Sequence, residues 1–518
     1  MYYTRSTMTQ FKKSLDKIDI LMINHQYDDV IQFCSELYIN KSPNSKYLEH
    51  ILNAYKQKQS NNVNKNNINN AIPHFQKLLN YTPPRTPEFC ILHNEIGMCY
   101  ANCKDHKRAI DHFKQILLVK NDIPDVFNNI AVCHIALKEY NAALVCLNIS
   151  LRLHECDDVY IRIGEVNLYM KRYDASIKAY KSVRNPSDMD LYNSCFPYLA
   201  TKQFLIGYKL YECRLKRNDI SPQTNQISRV EIPSIPYWNG TDICDHIMII
   251  YEQGIGDNIQ YFRFIIELSN KYPNLKITYF CKSIISHLFN IEPYNNIIIR
   301  DDSQQIDLSI YDRKIYIMSL PYILKLQTIT LNTINYITED VNNNVVWQET
   351  LSVFTTKLRV GILYSGLLVS YIDKQIKLSD FKDICIDDRI QTICLHKMDD
   401  SILSDFSSID FADKIMKYDI DKHKSFFDTV AILRNIDVLV TIDTSIAHLA
   451  GVMGIKTLLL IGYTSEWRWF DTDDKIWYES VEIIRMVEQK PLSNLLPRIK
   501  NILISEYENK YSNHSDTL

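Results

Sequence analysis

The sequence predicts an α + α/β chain: an N-terminal array of paired helices, then an α/β region built from two parallel-sheet halves. Three observations predict it. Small residues recur every 33 or 34 positions between residues 86 and 186. From Ile243 onward, short apolar runs alternate with helical periodicity. Eight of the eleven glycines lie from Gly240 onward, in a chain otherwise poor in glycine, so each survivor points to a backbone that needs it.

The period is carried by named residues. Gly97, Met98 and Tyr100 pair with Ala109, Ile110 and Phe113. Ala131 and His134 pair with Ala143, Leu144 and Leu147, and Gly164 and Asn167 with Ser176, Ile177 and Tyr180. Small residues at two fixed places let paired helices approach closely, while the large apolar residues fill the gaps between pairs. A period of 34 across three units matches the tetratricopeptide repeat. The segments Lys104–His106, Lys138–Tyr140 and Lys171–Tyr173 read as the turns within each pair.

Upstream, Lys46–Lys58 and the stretch with Ala71, Phe75, Leu78 and Pro83 read as one more pair, and residues 20–39 as another. The Asn-rich segment 59–70 reads as a solvated loop, having almost nothing apolar to bury. Asp190–Arg217 keeps helical spacing and closes the array, which therefore spans 1–218. Such arrays offer a concave groove to a protein partner. Asn94, Asn128 and Asn129 are candidates to line it, although inter-helix or surface hydrogen bonding is the commoner use of such residues.

Residues 219–240 hold Pro222, Pro233 and Pro236 among polar residues and read as a linker. The first α/β half, 241–345, begins with the strand Ile247–Tyr251 and a helix that turns Ile259, Phe262 and Ile266 inward. A strand Lys276–Cys281, a helix Ser283–Asn290 and strands Asn296–Arg300 and Arg313–Met318 follow. The second half, 346–510, holds strands Leu358–Tyr364, Ile390–Leu395, Asp437–Ile442 and Lys456–Ile461, with helices Ser425–Asn435 and Ser445–Val452 between them. Residues 511–518 form a tail. Buried strands alternating with helices mean parallel sheets, and two such series suggest two Rossmann-like halves facing a cleft.

Ligands in such sheets sit beyond the carboxyl ends of strands. Three loops stand there. Gly254-Ile-Gly-Asp257 offers two glycines for a tight turn and close approach to a ligand, with Asp257 opening the next helix; a plain helix cap is the alternative. Tyr364-Ser365-Gly366 offers backbone N–H groups to a phosphate. Asp443, Thr444 and Ser445 stand where a strand ends and a helix begins, with His448 in its first turn. The free N–H groups and positive helix end there favour a diphosphate; a capping cluster with a packed histidine is the alternative. Glu466-Trp-Arg-Trp-Phe470 and Trp477-Tyr478 read as packing between the halves, or else as a lid or a stacking surface.

Composition excludes other classes. Hydrophobic residues are 46% and charged residues 23% of the chain, and the net charge is −3, which gives no whole-chain basic field for nucleic acid. No run approaches the ~18 apolar residues of a membrane span, and the first twenty residues carry Lys12, Lys13, Asp16 and Lys17 where a signal peptide is apolar. The 13 cysteines form no CxxC pair and no zinc-type spacing. The expectation is a cytoplasmic protein with free thiols, no metal site, no cofactor and no membrane or nucleic-acid partner.

Taken in order, the segments resemble bacterial proteins that join tetratricopeptide repeats to a family 9, heptosyltransferase-like glycosyltransferase domain. The matching pieces are Gly207-Tyr-Lys-Leu-Tyr-Glu-Cys-Arg214, Pro236-Tyr-Trp-Asn-Gly240, Glu252-Gln-Gly-Ile-Gly-Asp257-Asn-Ile-Gln260 and Ser319-Leu-Pro321. Arg359-Val-Gly-Ile-Leu-Tyr-Ser-Gly366, Asp443-Thr-Ser-Ile-Ala-His-Leu-Ala-Gly451, Trp467-Arg-Trp469 and Trp477-Tyr478 complete the set. The resemblance implies a GT-B fold, a nucleotide-sugar co-substrate held mostly by the second half, and inverting transfer to an acceptor hydroxyl without a required metal. It implies Asp257 as general base. It implies a donor site at Gly254, Gly256, Ser365, Gly366, Lys374, Asp443, Thr444, Ser445 and His448, with a glycan or protein acceptor and the repeats as recruiter.

One stretch departs from the family. Relatives carry a basic run like His-x-Asn-Asp-Arg-x-Arg-Ser after the Ser-Gly loop, and here it is Val369–Leu378. Asp373 and Lys374 stand in for Asp-Arg, but the second Arg falls at Ile376, with Lys377 beside it. Lysine is a point charge and does not replace the guanidinium fork. The lost arginine supports one alternative to the transferase reading, a repeat scaffold whose transferase domain is degenerate and inactive; a second is a protein O-glycosyltransferase, since repeats joined to a GT-B unit also occur there.

Overall fold

A computed structural model describes residues 5–41, 45–61, 66–216, 235–331, 334–366, 376–422, 424–463, 466–472, 475, 477–488 and 490–512. The chain forms two compact units, Met1–Pro186 and Ser187–Leu518.

The first unit is a series of helical hairpins. Its helices are α1 (Arg5–Ile23), α2 (Tyr27–Lys41), α3 (Ser45–Asn61), α4 (Asn66–Leu79), α5 (Pro87–Asn102), α6 (His106–Leu117), α7 (Pro124–Ala136), α8 (Tyr140–Leu153), α9 (Asp157–Tyr169) and α10 (Tyr173–Lys181). The hairpin turns repeat in backbone geometry. Lys104, Lys138 and Lys171 take left-handed φ of 65°, 61° and 58°. After α5, the Lys104 N–H bonds Ala101 O and the Asp105 N–H bonds Tyr100 O, which closes a Schellman turn. The small residues act as the spacing predicts. A Cβ on Gly97 would stand 2.7 Å from the Phe113 ring, and one on Gly164 2.8 Å from Tyr180. Ala109, Ala131, Ala143 and Ser176 are wholly buried.

Two expectations for this unit are corrected. The first pair begins at Arg5, well before residue 20. The Asn-rich stretch 59–70 is not a loop throughout: residues 59–61 end α3 and 66–70 begin α4, and 62–65 lie outside the described residues. Asparagine costs only a few tenths of a kcal/mol per position in a helix, less than the apolar faces of α3 and α4 gain by packing.

The second unit opens with α11 (Asp188–Ala200) and α12 (Phe204–Tyr211). Their turn repeats the hairpin geometry, with Lys202 at φ 61°. The division expected at 218 nevertheless falls after Pro186, because Cys195, Leu199, Phe204, Tyr208 and Tyr211 bury their side chains in the core of the α/β halves. The first half contains β1 (His246–Ile250), α13 (Ile255–Lys271), β2 (Lys276–Cys281), β3 (Ile297–Asp301), β4 (Arg313–Tyr316) and a short α14 (Leu320–Ile323). Its sheet is parallel in the order β3-β2-β1-β4. The expected helix 283–290 is a single 3-10 turn, Ser286–Leu288. Residues 235–240 are not linker, since Ile235 and Trp238 are buried and Tyr237 bridges to Lys314 beside β4; 219–234 lie outside the described residues.

Next come α15 (Val341–Ser352), β5 (Leu358–Leu363), α16 (Lys382–Cys385), β6 (Ile390–Cys394), α17 (Asp400–Ser407), β7 (Ile415–Met416), α18 (Phe427–Asn435), β8 (Val438–Ile442), α19 (Ser445–Val452), β9 (Thr457–Ile461), β10 (Val481–Arg485) and α20 (Leu496–Ser512). The second sheet is parallel in the order β10-β9-β8-β5-β6-β7. Every residue of β1, β6, β8 and β9 is buried, as strands covered on both faces must be. The division expected at 345/346 cuts α15, which belongs with the second half: the Trp347 indole N–H donates to Asp428 at 3.0 Å. The expected tail is helical through Ser512, where α20 buries Leu496, Ile499 and Leu503. Among the described residues, no helix is long and apolar enough to cross a membrane.

One network fixes where the first half's loops stand. Arg214 is 2% exposed. Its Nε and Nη2 bind the two Glu252 oxygens at 3.1 and 2.6 Å, Nη1 binds Glu212 and Tyr211 O, and Nη2 also meets Ser319 Oγ at 2.8 Å. Tyr237 OH reaches the same Ser319 hydroxyl, and Glu252 accepts the Met318 N–H. Arg214→Met strips a wholly buried carboxyl of its cation and of two hydrogen bonds, so it should cost the second unit about 3–5 kcal/mol. Thermal and denaturant melts of the full chain check this; adding Glu252→Gln should recover part of the loss.

Candidate functional site

In each sheet the strand order reverses at one place: between β1 and β4 in the first, between β5 and β8 in the second. Such switch points leave a crevice outside the strands' carboxyl ends. The loops there are 251–254 after β1, 364–366 after β5 and 443–444 after β8. All three sequence-predicted loops therefore occupy switch points.

The loop after β1 is tightly built. Gln253, not a glycine, takes the left-handed φ of 62°, while Gly254 has an ordinary φ of −78°. The Asn258 amide donates to the carbonyls of Glu252 and Gly254 at 2.9 and 2.7 Å and accepts from the Tyr279 hydroxyl. The Asp257 Oδ2 accepts the Gly254 N–H at 3.0 Å, and Oδ1 meets Arg468 at 2.6 Å. Both oxygens of the candidate base are thus engaged. Gly256 does need to be glycine, but for packing against protein. A Cβ there would lie 3.0 Å from His448 Cδ2 and 3.2 Å from Ser445 Cα. The N-terminus of α13 sits directly on that of α19.

The loop after β5 starts from a pinned residue. The Tyr364 N–H donates to His396 Nε2 at 3.1 Å, and its hydroxyl donates to Asp405 at 3.0 Å. A backbone N–H can only donate, so His396 is neutral and carries its proton on Nδ1. Burial agrees, lowering the His396 pKa to about 4. Ser365 is half-buried and Gly366 exposed beyond this anchor, and Lys374 lies outside the described residues. Ile376 is 4% exposed in the apolar cluster behind the sheet, and Lys377 is exposed.

At the third loop, Asp443, Thr444 and Ser445 are half-buried. Thr444 stands at the cap position of α19, but its hydroxyl caps nothing, and Oγ1 is shut from solvent with no partner among the described residues. His448 is buried. Its Nδ1 lies 3.1 Å from the Tyr478 hydroxyl, and its ring stacks on Trp469 at 5.0 Å.

The aromatic segment packs as core. Trp467, Trp469, Phe470, Trp477 and Tyr478 are all buried. Gly451 gives Tyr478 its place: a Cβ there would stand 2.5 Å from that ring. Among these apolar side chains lies Arg468, 4% exposed, which sequence reasoning read only as part of a packing motif. Its guanidinium pairs with Asp257 and Glu466, while Nε has no partner among the described residues. Asp443 interacts electrostatically with both His448 and Glu466. Gln260, which the sequence shows only as the end of the Glu252–Gln260 segment, is a second polar side chain of this kind. It is wholly buried, and neither end of its amide has a partner among the described residues. The signal for both was available: a charged and an amide side chain inside runs otherwise fit for a core. Among the described residues, no three His, Cys, Asp or Glu side chains group as a metal ion requires.

No family model matches the chain, and no curated protein does. Among solved structures, Escherichia coli ADP-heptose LPS heptosyltransferase II is similar at 11% identity over 50% of this chain and 99% of that one, with a TM-score of 0.37. A glycosyl transferase family 9 protein from Veillonella parvula is similar at 13% identity, covering 51% and 97%, with a TM-score of 0.36. MamA is similar at 18% identity, covering 31% and 91%, with a TM-score of 0.27. By its own topology the chain joins a helical array of tetratricopeptide type to a GT-B-like pair of parallel-sheet halves.

Burial lowers the His448 pKa to about 4. Below about pH 6.5 the unfolded chain therefore takes up a proton that the folded site refuses, and stability falls until pH 4. The loss attributable to His448 should approach about 3 kcal/mol over that window. Melting temperatures of the wild type and His448→Phe between pH 7 and pH 4.5 check it; the variant should show the shallower decline.

Proposed function

We propose that the second unit is a glycosyltransferase that moves a sugar from a nucleotide-sugar donor to an acceptor hydroxyl with inversion, and that the repeat array recruits the acceptor or a partner protein. The observation that carries this reading is the meeting of the two switch points: Asp257 from the first half and the Thr444–Ser445 helix start from the second lie in one cluster around Arg468.

The chemistry follows from these groups. A sugar hydroxyl is a poor nucleophile, so a carboxylate must accept its proton as the new bond forms. Asp257 is that base. The departing nucleotide diphosphate needs its charge met. The α19 N-terminus supplies N–H groups and a positive dipole end, with Thr444 and Ser445 beside them and Asp443 preceding. Ser365 and Gly366 stand at the β5 end of the same sheet, while Gly254 and Gly256 shape the opposite wall; Lys374, outside the described residues, is proposed to add a cation to the donor. His448, neutral and buried, supports the helix start.

A second reading keeps the fold and drops the turnover: a scaffold whose transferase half is inactive. The close contact of Gly256 with Ser445 and His448, and the surrender of position 376 to the core, favour it. Titration of the full chain with UDP-, ADP- and GDP-sugars by calorimetry and thermal shift separates the two. The transferase reading expects one donor class to bind, and Asp257→Asn to keep that binding while turnover falls by about 10²–10⁴. Absence of binding by every donor leaves the scaffold. Labelled-sugar transfer to protein rather than glycan would make it a protein O-glycosyltransferase.

A further inference from the structure

Arg468 differs from an ordinary buried ion pair. Its Nη2 holds Asp257 at 2.6 Å and its Nη1 holds Glu466, yet Nε, in a side chain 4% exposed, bonds nothing among the described residues. A buried donor without a partner forfeits its bond to water and gains none in return. It is not alone at this seam. Among the described residues the Gln260 amide is unpartnered at both ends, and Gln260 lies one turn beyond Gly256, on the face of α13 that meets α19. Thr444 Oγ1 and Trp469 Nε1 are likewise shut in without a partner among the described residues. Four side chains from both halves thus carry unmet hydrogen-bonding capacity at the place where α13 and α19 touch.

Carboxylates crowd the same place. Glu466 interacts electrostatically with Asp257 and Asp443, and Arg468 pairs with Asp257 and Glu466. A diphosphate arriving at the start of α19 meets that guanidinium next to the helix N–H groups. It must compete with Asp257 for it.

We propose that Arg468 is a transferable cation: in this structure it restrains Asp257, and on binding of a nucleoside diphosphate at the α19 N-terminus it re-pairs with the diphosphate and releases the Asp257 carboxylate toward the acceptor. The inference rests on the transferase reading and adds to it the order of events. The base becomes available only once the donor is in place. The seam between α13 and α19 loosens in the same step, which brings Gln260 and Thr444 to partners.

The test is calorimetric titration of the full chain with UDP, ADP and GDP, using wild type, Asp257→Asn, Arg468→Gln, Arg468→Lys and the double variant Asp257→Asn/Arg468→Gln. The wild type should bind one of the three. Asp257→Asn should bind it about tenfold tighter, because Arg468 no longer has a competing carboxylate, and Arg468→Gln should bind it at least tenfold more weakly. In the double variant the gain from Asp257→Asn should vanish. Tightening that persists without Arg468 overturns the proposal, since removing a negative charge then explains it alone. Unchanged or weaker binding by Asp257→Asn overturns it too, while leaving the transferase reading intact. No binding of any nucleotide by wild type defeats both. If Arg468→Gln fails to fold by circular dichroism, Arg468→Lys takes its place: it keeps the charge without the fork and should bind more weakly, with less gain from Asp257→Asn.

Discussion

The bidentate pair between Arg214 and Glu252 is the interaction on which the rest of the second unit's site depends. A guanidinium cannot be buried at low cost unless its donors are met, and here every one is. Glu252 follows β1 by two residues, so fixing its carboxylate fixes the departure of the loop that carries Asp257. The strain at Gln253 persists because Asn258, Glu252 and Tyr211 over-determine the loop around it. The pair also explains why α11 and α12, which fold locally as one more hairpin, belong to the α/β unit: the chain segment that follows them supplies the arginine.

Arg468 makes the contrast. Both arginines are buried beyond strand ends, and both meet two carboxylates. Arg214 has all its donors engaged by groups of fixed backbone segments, as a structural pair requires. Arg468 leaves Nε unmet, beside an unmet glutamine and threonine. A fully satisfied network specifies one arrangement; a partly satisfied one retains a reason to rearrange. The difference lies in hydrogen-bond completeness, not in burial.

Much of this was legible in residue order. The 34-residue period located the hairpins because small residues at Gly97, Ala131 and Gly164 have one physical use, and apolar runs located the central strands to within a residue or two. The peripheral elements α15, α17, α20, β7 and β10 carry mixed polarity and gave no periodic signal. Within the site, the motif positions Arg214, Tyr237, Glu252 and Ser319 stood in the sequence as separate pieces, and only tertiary packing shows that they are one network. Gly256 was legible as a close approach, but not that the approach is to α19. Long-range partners such as Asp257 and Arg468, more than two hundred residues apart, have no local signature at all.

The missing arginine at position 376 gains a physical account from the same contrast. Phosphate recognition needs cationic donors near the α19 N-terminus, not at any one place in the chain. Ile376 packs into the core behind the second sheet. Arg468 is already desolvated, with a planar fork and an Nε that has no partner among the described residues. Burial makes such a cation worth more to an incoming anion than an exposed lysine, because water no longer screens it. The arrangement leaves Asp257 occupied: the buried guanidinium is paired with two carboxylates, and Asp257 is one of them. In the transferase proposed for the second unit, one side chain would couple the base to the donor site, which a surface arginine in a solvated loop could not do.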